Sequence, residues 1–579
     1  MKYIKPLSFI LIAAAVAGCN GLGKMSKNAS LVKYEVTPNP LEEHGDSVAI
    51  TVKGTYPAKY FAKKVDLNVT PYVKTSTGEH PFKTITEVGE KSPTTTGNKV
   101  NSKAGGSFTY ADKIAYTPDM RAGEVMVRVK GAQGKKSKDF EPVKIADATI
   151  ATPMLVQADE KTIAAKDQFK KVVPANFSGQ IYYLINTSNV NPNFKVKDAN
   201  VSNKPEMAAI DSALKALSVA PYTMKNISIM GYASPDGTEK LNAGLAEARS
   251  KSSMKYLMAG FKKRKSPQGQ DEAFYNLSST SEDWQGFQQQ MAASDMSQKD
   301  MILRIVSSNT DPDAREMEIK KMGKGYTEIA DKILPKLRRS AITINAEKMS
   351  RTDEQISALA SSNPDSLSVE ELLYAATLTT DNAKKLTIYK SAERIYPQDW
   401  RTSNNVGSIT FMNGDVDGAM NAFNKADQLS ANNPVVKNNL GACYSRKGDR
   451  KNAAAMYASA SGAGPELNEN MGILNIKDGD YSTAVGNYGS TQSFNASLAK
   501  LLNGDKDGAM STIEASPDKD SAAGLYLKAV ISARKGDANG VVSNLKGSVA
   551  KDPKMKAMAK DDREFIKWYN DASFKSAVE

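Results

Sequence analysis

The most informative stretch of the sequence is residues 226–257, NISIMGYASPDGTEKLNAGLAEARSKSSMKYL. The alternation of Ile227, Ile229 and Gly231 predicts a β-strand, and the SPDG sequence at 234–237 is typical of a turn. After the turn, apolar residues recur at near-helical spacing, at Leu241, Leu245, Ala248, Met254 and Leu257. The stretch therefore predicts a strand, a short polar loop and a helix whose N-terminal N–H groups favour an anion.

These residues resemble the peptidoglycan-binding loop and helix of the OmpA-like domain family. Gly231 and Tyr232 match the start of the family's turn, Asn242 matches its asparagine, and Arg249 matches its arginine. Ser234 stands where the family has an aspartate. The resemblance implies an α/β domain with a site for the stem peptide of peptidoglycan.

In that family, the arginine and the aspartate together hold the zwitterionic diaminopimelate of the stem peptide. By resemblance, Arg249 would bind the carboxylate, since its planar guanidinium suits a bidentate pair. Asp236, two residues after Ser234, is the candidate for the ammonium contact. The peptidoglycan site implied by the resemblance consists of Ser234, Asp236, Asn242 and Arg249. Two alternatives stay open: a module kept as a structural or interaction domain with an altered pocket, and an Arg249 that is simply a solvated helix residue.

The OmpA-like module is predicted to cover residues 177–348. Its other predicted elements are a strand at 179–186, a helix at 207–217, a strand at 274–278, and a basic pair with a final strand at 335–344. Residues 281–334 are a longer insertion than the family usually has. The spacing of apolar residues in this insertion predicts extra helices.

From residue 365 to residue 560 the periodicity changes to a helical repeat. Residue types recur in a fixed order: a glycine at 407, 441 and 472, Gly-Asp at 414, 448 and 479, and an aromatic residue at 423, 457 and 488. The first two units are 34 residues apart, and the region resembles tetratricopeptide repeats. The resemblance implies an all-α solenoid whose concave face binds a protein partner. All recurring positions are interpreted as core packing, with partner contacts at positions that do not recur. Residues 561–579 are predicted to be a capping helix or tail.

The N-terminal region, residues 31–158, has strand-like segments at 47–52, 65–69 and 124–129, separated by glycines and prolines. A β-sandwich is predicted. Its role is open between a spacer and a partner-binding module.

The first 19 residues have the pattern of a targeting segment. Lys2 and Lys5 precede an apolar run at 7–16, which is too short to span a bilayer as a stable helix. The ending Val16-Ala17-Gly18-Cys19 is similar to a bacterial lipobox, and this similarity implies cleavage before Cys19 and acylation of that residue. Residues 20–30 are predicted to be a polar tether.

Composition excludes several classes of function. The 579 residues carry a formal net charge of +13, without the basic stripe and interleaved aromatics that nucleic-acid binding requires. The two cysteines, Cys19 and Cys443, leave no intramolecular disulfide if Cys19 is acylated, and Cys443 is expected to be a buried small residue. His44 and His80 have no cysteine partners at metal-ligand spacing. No catalytic motif is present, so neither an enzyme, a cofactor nor a metal site is predicted.

The combination of lipobox, OmpA-like module and repeats resembles outer-membrane lipoproteins of Bacteroidetes. The expected function is a non-catalytic lipoprotein that faces the periplasm, links the outer membrane to peptidoglycan and recruits a protein partner through the solenoid. The alternative is an assembly scaffold of an outer-membrane or secretion complex that has lost glycan binding. Ser234 at the family's aspartate position favours this alternative.

Overall fold

The computed structural model of the protein describes residues 21–579, so that Cys19 and the predicted targeting segment lie outside the described residues. The chain forms two compact units. One, called here the split unit, combines residues up to Lys166 with Asp381–Glu579. The other, the inserted unit, is Asp167–Thr380.

Among its described elements, the N-terminal part of the split unit contains one short α-helix and eleven strands: α1 (Gly21–Lys27), β1 (Lys33–Thr37), β2 (Glu43–His44), β3 (Ser47–Tyr56), β4 (Asp66–Lys74), β5 (Glu79–Pro81), β6 (Ile85–Gly89), β7 (Asn98–Val100), β8 (Gly106–Ala115), β9 (Glu124–Gln133), β10 (Lys136–Asp139) and β11 (Val143–Asp147). Strand β3 pairs with β1, β2 and β8 in one sheet, while β4 and β9 are central in a second sheet. The prediction of sheets at the N-terminus is confirmed.

The two sheets share one hydrophobic core because every second residue of their central strands points inward. Val48, Ile50 and Val52 of β3 pack in the same cluster as Leu67 of β4 and Val127 of β9. The polar tether predicted at residues 20–30 is wrong in the described part. Helix α1 places the apolar side chains of Leu22 and Met25 in this core, where burial stabilises the helix against the sheet.

The inserted unit contains seven strands and nine helices of four or more residues among its described elements: β12 (Val172–Pro174), β13 (Phe177–Tyr182), β14 (Lys195–Val196), β15 (Val201–Ser202), α2 (Asn203–Leu217), β16 (Tyr222–Tyr232), α3 (Glu239–Lys263), β17 (Tyr275–Thr280), α4 (Trp284–Ala292), α5 (Lys299–Ser308), α6 (Pro312–Lys320), α7 (Lys324–Lys332), α8 (Leu334–Leu337), β18 (Arg339–Met349), α9 (Asp353–Ser362) and α10 (Val369–Thr377). Strand β18 pairs with β12, β13 and β16, and β16 pairs in parallel with β17. Helices α2 and α3 share a core with this sheet.

The structure confirms the strand, loop and helix expected at residues 226–257, as β16, a loop and α3. Gly231 lets the strand and helix approach closely, since a Cβ at this position would lie 2.0 Å from the carbonyl oxygen of Ala246. The extra helices expected within 281–334 are present as α4 to α7, with a separate hydrophobic core. The loop between β16 and α3 is thereby held between two rigid elements.

The C-terminal part of the split unit is all helical: α11 (Asn382–Ile395), α12 (Trp400–Met412), α13 (Val416–Leu429), α14 (Pro434–Arg446), α15 (Arg450–Ala458), α16 (Glu466–Asp478), α17 (Tyr481–Tyr488), α18 (Phe494–Leu502), α19 (Lys506–Ala515), α20 (Ala522–Lys535), α21 (Ala538–Lys551), α22 (Met555–Asp561) and α23 (Ala572–Val578). Helices α12 to α21 form five consecutive pairs. This confirms a helical repeat region with the character of a tetratricopeptide solenoid.

The recurring residues explain the pairing. A Cβ at Gly407 or Gly441 would lie 2.7 or 2.4 Å from the ring of Phe423 or Tyr457, so each glycine makes room for the aromatic residue of the second helix. Each Gly-Asp ends one helix and begins the next, because its aspartate caps the second helix; the caps are Asp415, Asp449, Asp480, Asp505 and Asp537. Cys443 is fully buried in α14, as expected, and burial raises the pKa of its thiol to about 12.

The last helices of the split unit contact its β-sheet part through charged groups. Asp562 lies 2.7 Å from the guanidinium of Arg121 and also accepts a hydrogen bond from Tyr526. Arg563 donates to the carbonyl oxygen of Ala148. The two separated halves of the split unit are therefore bonded to each other directly.

Glu87 on β6 makes the stability of the β-sheet part depend on pH. Its side chain is 1% exposed, one carboxylate oxygen accepts from Asn98, and the other has no partner among the described residues. Burial raises the pKa of Glu87 from 4.5 to about 7. The folded protein therefore binds this proton more tightly than the unfolded chain, and stability falls as pH rises from about 4.5 through about 7.

We expect Glu87→Gln to remove this loss and to stabilise the protein at pH 8 by about 2–3 kcal/mol relative to wild type. Urea unfolding between pH 4 and 8, monitored through hydrogen exchange of the amides in β4 and β6, measures the effect. Glu35→Gln is the control, because Glu35 is exposed beside Lys53. Parallel pH profiles for wild type and Glu87→Gln would contradict the assignment.

Candidate functional sites in the two units

The structure brings the four residues of the predicted peptidoglycan site together around the start of α3. Ser234 and Asp236 lie in the loop after β16, and the hydroxyl of Ser234 donates to the Asp236 carboxylate. Asn242 donates to the carbonyl oxygen of Gly237, 2.9 Å away, and so holds the loop against the helix. Arg249 lies two turns further along α3.

Arg249 is a buried cation, only 1% exposed, so the alternative of a solvated helix arginine is wrong. Its guanidinium donates to three backbone carbonyl oxygens: those of Tyr232 at 2.8 Å, Thr187 at 3.0 Å and Leu184 at 3.3 Å. It forms no ion pair with a carboxylate of residues 21–579. Burial lowers the pKa of Arg249 to about 10, and the nearby charge of Arg338 acts in the same direction.

Asp236, the candidate for the ammonium contact, is already paired with Arg338. The Arg338 guanidinium lies 2.7 Å from one Asp236 oxygen and donates to the hydroxyl of Ser234 at 3.1 Å. The next residue, Arg339, pairs with Asp283 at 2.5 Å and lies over the ring of Tyr232. Arg338 and Arg339 are the basic pair that was predicted together with the final strand.

The cluster of Arg249, Arg338 and Asp236 thus contains two cations and one anion in a mostly buried position. A site with an unneutralised buried cation favours an anionic ligand. Arg249 has five N–H donors and uses three of them on carbonyl oxygens. Leu184 and Thr187 supply two of those carbonyls, and Arg249 is almost fully buried, so the segment that carries these two residues is a candidate to move when an anion binds.

A second polar site lies in the split unit, and the sequence interpretation missed it. Residues 157–166, called here the strap, run without helix or strand across the first helices of consecutive pairs, with a tight turn at the start where the Asp159 N–H donates to the Gln157 carbonyl. Four asparagines each bind both backbone groups of one strap residue: Asn495 binds Gln157, Asn470 binds Lys161, Asn439 binds Ile163, and Asn405 binds Ala165. The strap N–H groups lie 2.7–2.8 Å from the asparagine oxygens. The asparagine N–H groups lie 2.8–2.9 Å from the strap carbonyls.

Two further asparagines join these contacts into one network. Asn404 donates to the carbonyl of Ile163 and accepts from Asn439, while Asn438 donates to the carbonyl of Lys161 and accepts from Asn470. All six side chains are buried, and we call the set the asparagine ladder: Asn404, Asn405, Asn438, Asn439, Asn470 and Asn495. A buried polar network of this kind is stable only when its groups are satisfied, and here the strap backbone satisfies them.

Two strap side chains also contact the helices: the Thr162 hydroxyl lies 2.9 Å from the hydroxyl of Ser408, and Glu160 makes ionic contacts. The Glu160 carboxylate is fully buried and lies 2.7 Å from Arg446 and 3.2 Å from Lys477, and it accepts from the Ser445 hydroxyl at 2.8 Å. We call these three partners the notch. Burial by itself would raise the pKa of Glu160, but Lys477 and Arg446 outweigh it and hold that pKa below its usual value.

The signal for the ladder was present in the sequence. Asn405, Asn439 and Asn470 each lie two residues before a recurring glycine, as in NNVG, NNLG and ENMG. The interpretation of every recurring position as core packing is correct for the glycines and aromatics but wrong for these asparagines. An asparagine repeated within helices has no packing rationale, because its amide must find hydrogen-bond partners when buried.

Within residues 21–579, no group of three or more His, Cys, Asp or Glu side chains could hold a metal ion. In the same part of the chain, no helix is both long and apolar enough to cross a bilayer.

Comparisons with known proteins give no family. No protein-family profile matches the sequence, and no curated protein matches it. Solved structures that align with parts of the chain include Pseudomonas aeruginosa pilF, at 12% identity, TM-score 0.29, 38% of this chain and 99% of that one. A tetratricopeptide repeat protein from Parabacteroides merdae aligns at 13% identity, TM-score 0.28, 43% and 98%. Yeast Tom70 aligns at 11% identity, TM-score 0.25, 65% and 82%. TM-scores this low carry no argument, and the repeats are assigned here from the chain's own helices.

We expect Asn439→Ala to loosen the strap, since it leaves the Ile163 N–H and the Asn404 oxygen without their partner and removes one of the two donors to the Ile163 carbonyl. The expected cost is about 2–4 kcal/mol in unfolding free energy, with faster hydrogen exchange at the Ile163 amide. Asn413→Ala is the matched control, because Asn413 is exposed at the end of α12. Unchanged protection of Ile163 in Asn439→Ala would contradict the ladder.

Proposed function

We propose that this protein is a non-catalytic, lipid-anchored scaffold of the bacterial cell envelope that binds polypeptide through its repeat helices. The observation that carries the proposal is the asparagine ladder, which binds the N–H and C=O groups of an extended chain at four positions. Contacts to the backbone tolerate variation in the bound side chains. A repeat surface of this kind suits the capture of extended protein segments.

The envelope location is proposed from the sequence. The lipobox at 16–19 supports an acyl anchor on Cys19 in the outer membrane, with the protein facing the periplasm. The net charge of +13 favours association with acidic lipid headgroups and acidic partners.

The test of the scaffold is in-cell cross-linking followed by isolation of membranes. Wild type is expected to be recovered from membranes with a protein partner. The variant Asn439→Ala/Asn470→Ala should stay in membranes but lose most of that partner, whereas the control Asn413→Ala should keep it. Cys19→Ala should leave the membrane fraction, and Cys443→Ala, the other cysteine variant, should remain.

A partner recovered equally from wild type and the double asparagine variant would overturn the assignment of partner binding to the ladder. Retention of Cys19→Ala in membranes would overturn the lipid anchor.

A second candidate function is peptidoglycan binding by the inserted unit, as its resemblance to OmpA-like domains implies. The observation that favours this function is the buried cation Arg249. Arg249 forms no ion pair within residues 21–579, and the charge of Arg338 is close to it. A carboxylate of the stem peptide would neutralise this charge once loop 184–187 moves. Asp236, already paired with Arg338, would hold the ammonium only by sharing its carboxylate. If glycan binding is absent, the assembly scaffold is the remaining function.

Sedimentation with purified sacculi tests this second function, using Cys19→Ala protein to avoid detergent. We expect this parent protein to sediment in moderate salt and to be released by free diaminopimelate. Arg249→Lys keeps the charge but loses the planar fork, so binding should fall at least tenfold. Arg264→Ala, at the end of the same helix, is the control.

The melting temperature of each variant shows that the inserted unit is folded. Undiminished sedimentation of folded Arg249→Lys, or no sedimentation of the parent protein, would remove peptidoglycan binding from the function.

A further inference from the structure

The strap is held mainly by its backbone. Its small or polar side chains at positions 157, 158, 159, 164 and 166 are exposed, and it places no large apolar side chain in the helical core. Binding therefore comes from the paired amide contacts to the ladder, which any extended polypeptide can reproduce. This distinguishes the strap from a structural linker anchored by apolar burial.

Glu160 adds a requirement for one particular side chain. Its carboxylate is fully buried in the notch of Ser445, Arg446 and Lys477, where it meets two cations and a hydroxyl. It directly precedes Lys161, the strap residue bound by Asn470. An occupant of the ladder thus needs an acidic residue at this position, while its other contacts are mainly through its backbone, with one further side-chain hydrogen bond between Thr162 and Ser408.

An empty ladder is unfavourable, because six buried asparagines and the two cations of the notch would lose their partners. A filled ladder can nevertheless change its occupant, since an incoming segment restores the same hydrogen bonds that the strap gives up. The strap has the advantage of being tethered at both ends, which raises its local concentration. Exchange then requires either a tightly binding segment or a weakened strap.

We infer that the ladder and notch form an exchangeable peptide site, which takes from a partner protein an extended segment with an acidic residue, in competition with the strap. The inference rests on the proposed scaffold function and names the class of partner. The partner segment runs in the direction of the strap, from Asn495 towards Asn405, and its acidic residue enters the notch. The net charge of +13 supports an acidic partner.

The test uses a fluorescent peptide with the sequence of residues 155–167, LVQADEKTIAAKD, and the full chain as Cys19→Ala. Protein carrying Glu160→Lys has a strap that Arg446 and Lys477 repel, so its ladder should accept the peptide at least tenfold more tightly than parent protein. Asp159→Lys makes the same charge change at an exposed neighbouring residue and should leave binding at the parent level. Fluorescence anisotropy gives the affinities.

Two further arms locate the site. A peptide in which lysine replaces the glutamate should bind Glu160→Lys protein at least tenfold more weakly than the acidic peptide. Adding Asn439→Ala and Asn470→Ala to Glu160→Lys should abolish binding of the acidic peptide.

Hydrogen exchange at Ile163 reports whether the strap has left the ladder. A Glu160→Lys protein with a released strap that fails to bind the peptide would overturn the inference and make the strap a fixed internal strut. Equal affinity for the acidic and lysine peptides would overturn the role of the notch. If Glu160→Lys does not fold, Glu160→Gln replaces it with the same readouts. If the peptide does not exchange with the strap but a ladder-dependent partner is still recovered from cells, the proposed scaffold function is retained and only this inference is overturned.

Discussion

The hydrogen-bonding requirement of an extended backbone determines how the split unit is held together. A chain segment that packs across helices without joining a sheet must find other hydrogen-bond partners for its buried N–H and C=O groups. The side-chain amide of asparagine has the same donor and acceptor as a peptide group, so one asparagine can satisfy both groups of one strap residue. The ladder repeats this contact at the spacing of the helical pairs.

This constraint connects the repeat architecture to the arrangement of the chain. Three of the pairs present an asparagine at the same place, two residues before the glycine that makes room for the aromatic ring of the second helix: Asn405, Asn439 and Asn470. The strap crosses in the direction opposite to the repeat order, from Asn495 to Asn405. Along the chain, the strap connects the β-sheet part to the start of the inserted unit. The ion pair of Arg121 with Asp562 bonds the same β-sheet part to the last helices.

The inserted unit shows a different use of buried polar groups. Arg249 is satisfied by backbone carbonyls and not by a carboxylate, so its hydrogen bonds are complete while its charge is not neutralised. In the ladder, neutral amides meet neutral amides and no charge is left over. Binding an anion would therefore stabilise the arginine cluster by neutralising its charge. The ladder, in contrast, is stabilised only while a backbone segment occupies its hydrogen-bonding groups.

The sequence by itself determined those features that depend on local periodicity and turn chemistry. Alternation predicted β16, helical spacing predicted α3, and the glycines, Gly-Asp and aromatic residues that recur at fixed offsets predicted the helical repeat, because these patterns act over short stretches of sequence. The grouping of Ser234, Asp236, Asn242 and Arg249 was implied by the resemblance to OmpA-like domains, and these residues lie in one loop and the helix that follows it.

Only the tertiary structure decided which partners the polar residues find. Arg338, which lies between α8 and β18, pairs with Asp236 from 102 residues away, and residues 157–166 bind asparagines 240 to 338 residues further along the chain. Hydrogen bonds and ion pairs are short-ranged and directional, so they depend on distances in space that one-dimensional spacing does not contain. The same buried asparagine therefore looks like an irregularity in a helix until the folded chain places a backbone beside it.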